Sequence, residues 1–216
     1  MVVVIAGGHG KIGLRLTTLL AERGDRVLGL IRNPAHADHV SAAGGEPVIA
    51  DLESTDAGEV ARAIEGADAV VFSAGAGPGS GAERKLTLDR DGAVLMADAA
   101  KAAGATRYVM VSSMGADASH QGEEVFDVYL RAKGEADAAV AESGLDFTIV
   151  RPGRLTDAPG TGLVEIGSHV QRGEVSRDDV AAVLAATLAQ PATIGATFEL
   201  VGGSDPIEAA LAKLAG

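Results

Sequence analysis

The feature that most constrains this chain is a unit that recurs without sequence identity: a helical stretch, a glycine, a polar residue, then a β-rich apolar run. It occurs as Ala21-Glu-Arg-Gly24 before Arg26-Val-Leu and as Ala63-Ile-Glu-Gly66 before Ala69-Val-Val-Phe72. It returns as Ala102-Ala-Gly104 before Arg107-Tyr-Val-Met-Val111, and as Ala141-Glu-Ser-Gly144 before Phe147-Thr-Ile-Val150. A glycine just past a helix ends it by taking the left-handed conformation that other residues resist. The runs that follow are continuously apolar rather than alternating, as expected of strands covered on both faces of a sheet.

The intervening segments have helical spacing. Ile12, Leu16, Leu19 and Leu20 share one face, as do Gly92, Leu95, Met96, Ala99 and Ala103. Strands are expected near residues 2–6, 26–31, 47–50, 69–74, 107–112 and 146–151, in the order βαβαβαβαβαβ. That order implies a parallel sheet with right-handed crossovers, a doubly wound α/β fold of the Rossmann-like kind. Past Arg151-Pro152 the rhythm fades, and residues 153–175 read as an excursion over the sheet edge. Ser176-Arg-Asp-Asp179 then opens a helix with a capping pattern, running to about Ala189. A strand at Thr197–Val201 and a short helix after Asp205-Pro206 form a short C-terminal cap. No linker separates a second domain, so residues 1–216 read as one.

Composition removes several functions. The chain has 18 Lys and Arg against 30 Asp and Glu, a net charge of −12, so it has no general attraction for nucleic acid or anionic membrane. Two Tyr, four Phe and no Trp leave no stacking platform for single strands. With no cysteine there is no thiolate nucleophile, disulfide scaffold or Cys-ligated metal. The five histidines lack metal-ligand spacing, so no metal is expected. The opening apolar run, Val2–Ala6, is too short to span a bilayer. A cytoplasmic protein acting on a small molecule is the expectation, its oligomeric state left open.

The first strand runs directly into Gly7-Gly8-His9-Gly10-Lys11-Ile12-Gly13, and the first helix follows. Glycines at 7, 10 and 13 permit a tight turn, close backbone approach to a pyrophosphate and close helix–strand packing, with the helix N-terminus facing the phosphates. The pattern is weak alone; its placement between a buried strand and an amphipathic helix carries the reading. At the end of the second strand, where an acid would accept a free ribose 2′-hydroxyl, stands Arg32 with no acid beside it in Leu30-Ile31-Arg32-Asn33-Pro34. A guanidinium suits a 2′-phosphate, so NADP is preferred and NAD remains possible. Lys11 adds a second cation. Asp51 and Leu52 offer an acceptor and an apolar wall for adenine, although Asp51 equally suits a helix cap near Ser54.

In these residues the chain resembles the atypical short-chain dehydrogenase/reductases, NAD(P)-binding proteins that include NmrA-like and epimerase/dehydratase-like branches. The resemblance covers most of the chain. It rests on Gly7-x-x-Gly10-x-x-Gly13, Ile31-Arg32-Asn33-Pro34, Ala50-Asp51-Leu52, Val111-Ser112-Ser113, Tyr129-x-x-x-Lys133-x-x-Ala136-Asp137 and Val150-Arg151-Pro152-Gly153.

Ligands of such sheets lie beyond the carboxyl ends of the strands. Three segments should converge there: Ser73-Ala74-Gly75, small enough to let a cofactor lie against backbone; Ser112-Ser113; and Pro152-Gly153, which the family uses to carry backbone past the nicotinamide. His9 and Ile12 accompany the glycines in the cofactor loop. Tyr129 and Lys133 lie four apart in a helical stretch, Val125 to Ala141, and so share a face. An ammonium beside a phenol favours the phenolate and makes the hydroxyl a usable acid or base. The resemblance implies that Tyr129 exchanges a proton with the substrate oxygen, that Lys133 holds the cofactor ribose, and that Ser113 is the nearest hydroxyl for the substrate, with Ser112 near the cofactor. The expected activity is hydride transfer between NADP and a small carbonyl or quinone-like substrate. The alternatives are a non-catalytic cofactor-binding sensor, as among NmrA-like proteins, or an epimerase/dehydratase with bound NAD(P).

Overall fold

Alternate residues of each strand feed two separate cores, which is why the strands read as unbroken apolar runs. In the computed structural model, which describes residues 1–77 and 79–215, β1 (Val2–Ala6) sends Val3 and Ile5 to one face and Val4 and Ala6 to the other. The chain continues through α1 (Lys11–Glu22), β2 (Arg26–Ile31), α2 (Ala37–Ala42), β3 (Glu46–Ile49), α3 (Ala57–Ala63) and β4 (Ala69–Phe72). There follow α4 (Ala82–Arg84), a π-helical segment Lys85–Arg90, α5 (Asp91–Ala102), β5 (Arg107–Val111), α6 (Val125–Ala141) and β6 (Asp146–Pro152).

The four recurring glycines, Gly24, Gly66, Gly104 and Gly144, all have φ between 80° and 91°, the left-handed value their helix-ending role requires. One core packs Val4, Leu30, Val70, Phe72, Tyr108 and Met110 against α3, α5 and α6; the other packs Val3, Ile5, Val71, Val109 and Val150 against α1 and the C-terminal helices.

The excursion after Arg151 is more ordered than its sequence suggests. It holds β7 (Arg154–Thr156), β8 (Leu163–Gly167) and β9 (Glu174–Ser176), followed by α7 (Arg177–Ala189), β10 (Ala196–Gly202), β11 (Asp205–Pro206) and α8 (Ile207–Ala212). β7 and β9 pair with each other, while β8 joins the main sheet antiparallel to β10. Strands this short carry too few side chains to show a period. The excursion is anchored at the start of α7: Ser176 Oγ accepts from Asp179 N at 2.9 Å, and the Asp179 carboxylate accepts from Thr161 N and Gly162 N.

Among the described residues the main sheet has nine strands, ordered β11-β8-β10-β6-β5-β4-β1-β2-β3. β1 to β6 and β10 run parallel. The order reverses at β1 and β4, so the crevice of this doubly wound sheet opens beyond their carboxyl ends. Buried Arg107 ties this region to the C-terminal part. It donates to Thr148 Oγ1, Thr193 Oγ1, and the carbonyls of Asp146 and Thr187, and burial lowers its pKa to about 10. No helix among the described residues is long and apolar enough to cross a membrane.

Candidate active site

The loop after β1 needs its glycines for distinct reasons. Gly7 has φ +83°, and a Cβ there would lie 2.8 Å from the Ala74 backbone. A Cβ on Gly13 would lie 2.4 Å from the Gly7 carbonyl oxygen, so this glycine sets how closely α1 approaches β1. Gly10 N donates to Gly7 O at 2.8 Å and closes the turn. Gly8 has a role the pattern does not reveal: its Cβ would lie 2.7 Å from Gly29 Cα on β2. Gly10 stands at the N-cap of α1, and neither a side-chain cap nor an acid occupies the first turn. The free N–H groups and the dipole are thus left for an external anion.

Two cavities meet at Ser73, Ala74 and Gly75, just past β4. The first, about 320 Å³, is lined by Gly7, His9, Gly10, Arg32, Asp51 and Leu52. The second, about 520 Å³, is lined by Ile12, Ser112, Tyr129 and Lys133, together with Lys85, Asp89, Val125, Phe126 and Leu155. A glycine cradle, an uncapped helix start and an elongated double cavity fit a dinucleotide laid across the switch point.

Arg32 lacks an acid along β2 but not in space. Its Nη1 lies 3.3 Å from Glu53 Oε2, and Arg84 Nη2 lies 2.9 Å from the same oxygen. Thr87 donates to the other Glu53 oxygen. Burial works against these partners, but the hydrogen bonds from Arg84 and Thr87 and the two guanidinium charges leave Glu53 below the usual carboxylate range. Asp51 does not cap a helix near Ser54: it accepts from Glu53 N at 3.2 Å, while α3 begins at Ala57 and is capped by Asp56. His9 stacks on His36 with ring centroids 3.6 Å apart, and its Nε2 lies 2.8 Å from His39 Nδ1. Burial, then His36 and His39, push His9 below the ordinary imidazole range. The three rings are close to parallel, with interplanar angles of 15–16°.

Lys133 is 3% exposed. Its Nζ donates to Val111 O at 3.1 Å and lies 3.3 Å from Asp89 Oδ1. Asp89 also accepts from Ala76 N, so one carboxylate links α6 to the loop at which the two cavities meet. Tyr129 stands over the second cavity with Phe126 beside it, ring centroids 6.0 Å apart. The other tyrosine, Tyr108, is fully buried and donates to Ala93 O, leaving Tyr129 as the phenol at the cavity.

Of the two adjacent serines, Ser112 is the one that lines this cavity, but its Oγ is itself buried and is turned toward the Asp137 carboxylate. Ser113 instead donates to Met114 O. Asp137, in the same helix as Tyr129, accepts from Arg151 Nε at 2.8 Å; burial holds its carboxyl above the ordinary range despite the opposing pull of Ser112, Arg151 and Lys133.

Lys11, Pro152 and Gly153 do not line either cavity. Lys11 pairs with Asp157 at 2.5 Å. Pro152 is buried at the end of β6, where its carbonyl accepts from Met114 N. Gly153 is required where it is because a Cβ would lie 2.4 Å from Gly173 O. Sequence reasoning missed Lys85, Asp89, Glu53, Arg84 and Phe126. Lys85 and Asp89 sit in the π-helical segment, whose wider turn removes the 3.6-residue period that would have displayed them.

Fold and site together define a dinucleotide-binding protein of the Rossmann type. Residues 7–191 match the NAD(P)H-binding family, and the chain belongs to it. This accords with the resemblance to the atypical short-chain dehydrogenase/reductases. The chain is 39% identical over 215 residues to the uncharacterized sugar epimerase YhfK of Bacillus subtilis, covering 99% of this chain and 100% of that one. A solved Bacillus halodurans structure, named provisionally as an NAD-dependent epimerase/dehydratase, superposes with TM-score 0.91 at 35% identity and covers 99% of both chains. The oxidoreductase ylbE of Lactococcus lactis superposes at 0.87 with 26% identity, covering 99% of this chain and 96% of that one.

Proposed function

We propose that the protein is an NADP-dependent oxidoreductase that reduces a small carbonyl or quinone-like substrate, with Tyr129 as proton donor. The observation that carries the reading is that Tyr129, Lys133 and Ser112 line one cavity, which shares its Ser73–Gly75 wall with the cavity over the glycine loop. Gly7, Gly10 and Gly13 would cradle the cofactor's pyrophosphate; Asp51 and Leu52 would bound its adenine, and Arg32 would face a 2′-phosphate, with Arg84 beside it. When bound, the nicotinamide supplies the hydride that the substrate carbon accepts.

The chain's own residues complete the step. As the carbonyl oxygen takes up the C=O electron pair, Tyr129 gives it a proton and recovers one from solvent. Lys133 is held by Val111 O and Asp89 with a third proton to offer, which suits a ribose hydroxyl. Val125, Phe126 and Leu155 supply apolar surface to the cavity. That lining suits a flat conjugated substrate better than a sugar, whose hydroxyls would need partners, and it favours reduction over sugar epimerisation. A pure sensor would have no use for the phenol and ammonium in one cavity. NADPH oxidation against a panel of small aldehydes, ketones and quinones tests the reading: saturable turnover of at least one is expected. Binding of NADPH without oxidation by any of them would favour the sensor.

A further inference from the structure

Lys85 is 8% exposed, yet its ammonium has little to compensate it. Its Nζ donates to Gly77 O at 2.9 Å and lies 5.2 Å from the centre of the Tyr129 ring. Among the described residues no carboxylate lies within 4 Å of it. Asp89, the carboxylate that lines the same cavity, is committed to Lys133 and Ala76 N. The second cavity therefore holds two buried ammonium groups and one carboxylate, a local positive surplus in a chain of net charge −12. Buried charges are ordinarily paired, because desolvation penalises an ammonium that meets only a carbonyl and a ring face. Val125, Phe126 and Leu155 add apolar surface to the same cavity.

We propose that Lys85 is a specificity-determining residue that pairs with an anionic group of the substrate, so that the natural substrate is an organic anion: an apolar, conjugated carbonyl compound bearing a carboxylate. The assignment extends the oxidoreductase reading of the same cavity by naming the class of its substrate. A carboxylate entering the cavity would complete the missing ion pair, and the apolar body would lie against Phe126 and Val125, both exposed at the cavity mouth. Recognition of the neutral analogue would leave the ammonium buried and unpaired, a source of strong discrimination in binding sites.

The test uses an isosteric pair of non-reacting probes, 2-naphthoate and 2-naphthamide, titrated by calorimetry into the full-length protein with and without saturating NADP+. The wild type should bind the acid about tenfold or more tightly than the amide, as a charge-assisted contact requires. Lys85→Met should bring the acid down to the level of the amide while leaving the amide within about twofold, and Lys85→Arg should keep most of the preference. Equal binding of the two probes by the wild type overturns the proposal, as does binding of neither, or a preference that survives Lys85→Met. The wild-type comparison decides the matter even where Lys85→Met does not fold. Because the probes undergo no reaction, a protein that prefers the acid yet reduces nothing would refute hydride transfer and leave the Lys85 assignment standing.

Discussion

Asp89 Oδ1 and Lys133 Nζ form an ion pair 3.3 Å long whose side chains are 2% and 4% exposed. A pair this buried is costly to break on one side, since the remaining charge stays in a low-dielectric site without its partner. Lys133→Met and Asp89→Leu should each lose about 3–5 kcal/mol of unfolding free energy. The double variant should be less destabilised than the sum of the two, measured by urea denaturation. Strict additivity would show that the two groups do not depend on each other.

At the other cavity, Glu53 stands between Arg32 and Arg84 and competes with any phosphate for both guanidiniums. NADPH should bind about tenfold more tightly than NADH, with the preference lost in Arg32→Ala and reduced by salt because Arg32 is 55% exposed. Glu53→Gln should strengthen NADPH binding. Calorimetric titration of both nucleotides reads this; equal affinities unchanged in Arg32→Ala would mean that the arginine is only solvated.

Asp137 carries a pH signature. Its carboxyl is held above the ordinary range by burial, so the folded state retains its proton to higher pH than the unfolded chain does. The stability this confers is fully present below the unfolded value of about 3.9 and is lost as pH rises through the folded one. Asp137→Asn does not titrate. Its stability relative to wild type should therefore climb as pH rises through that window and level off above it, in denaturation curves taken from acid to neutral pH. A relative stability that falls over the same window would reverse the assignment.

Much of this was legible in the sequence because its signals are local. The four left-handed glycines and the apolar runs placed the strands within a few residues, and the helix carrying Tyr129 and Lys133 has the expected ends, Val125 and Ala141. The cavity's ionic wiring was not legible. Asp89 meets Lys133, and Glu53 meets Arg32, across elements far apart in sequence, and neither pairing leaves a periodic trace. Lys85 is hidden further by the π-helical turn that carries it. Ser112 and Ser113 are adjacent and chemically alike, and only the backbone's direction at the end of β5 decides which of the two residues lines the cavity.

Gly8 and Gly24 separate two reasons for a glycine. Gly24 needs its positive φ of 91° but has nothing within 4 Å of a would-be Cβ, so Gly24→Ala should cost about 1–2 kcal/mol and spare cofactor binding. Gly8 would press its Cβ onto the backbone of Gly29, so Gly8→Ala should lower the melting temperature and weaken NADPH binding together. Thermal melting with and without NADPH distinguishes them; a Gly8→Ala variant that binds normally would mean the loop can shift without consequence.

Tyr129→Phe bears most directly on the account as a whole. Removing one oxygen leaves the ring beside Lys85 and Phe126 and spares every group expected to hold the cofactor. A phenol that transfers a proton contributes about 10²–10⁴-fold to rate. The measurement is kcat/KM for NADPH-dependent reduction of the best carbonyl or quinone substrate, taken alongside the NADPH dissociation constant. The account predicts a loss of at least ~100-fold in kcat/KM with nearly unchanged NADPH affinity. A variant that turns over as fast as wild type would contradict it, leaving proton transfer to water and Tyr129 as a bystander at the cavity mouth.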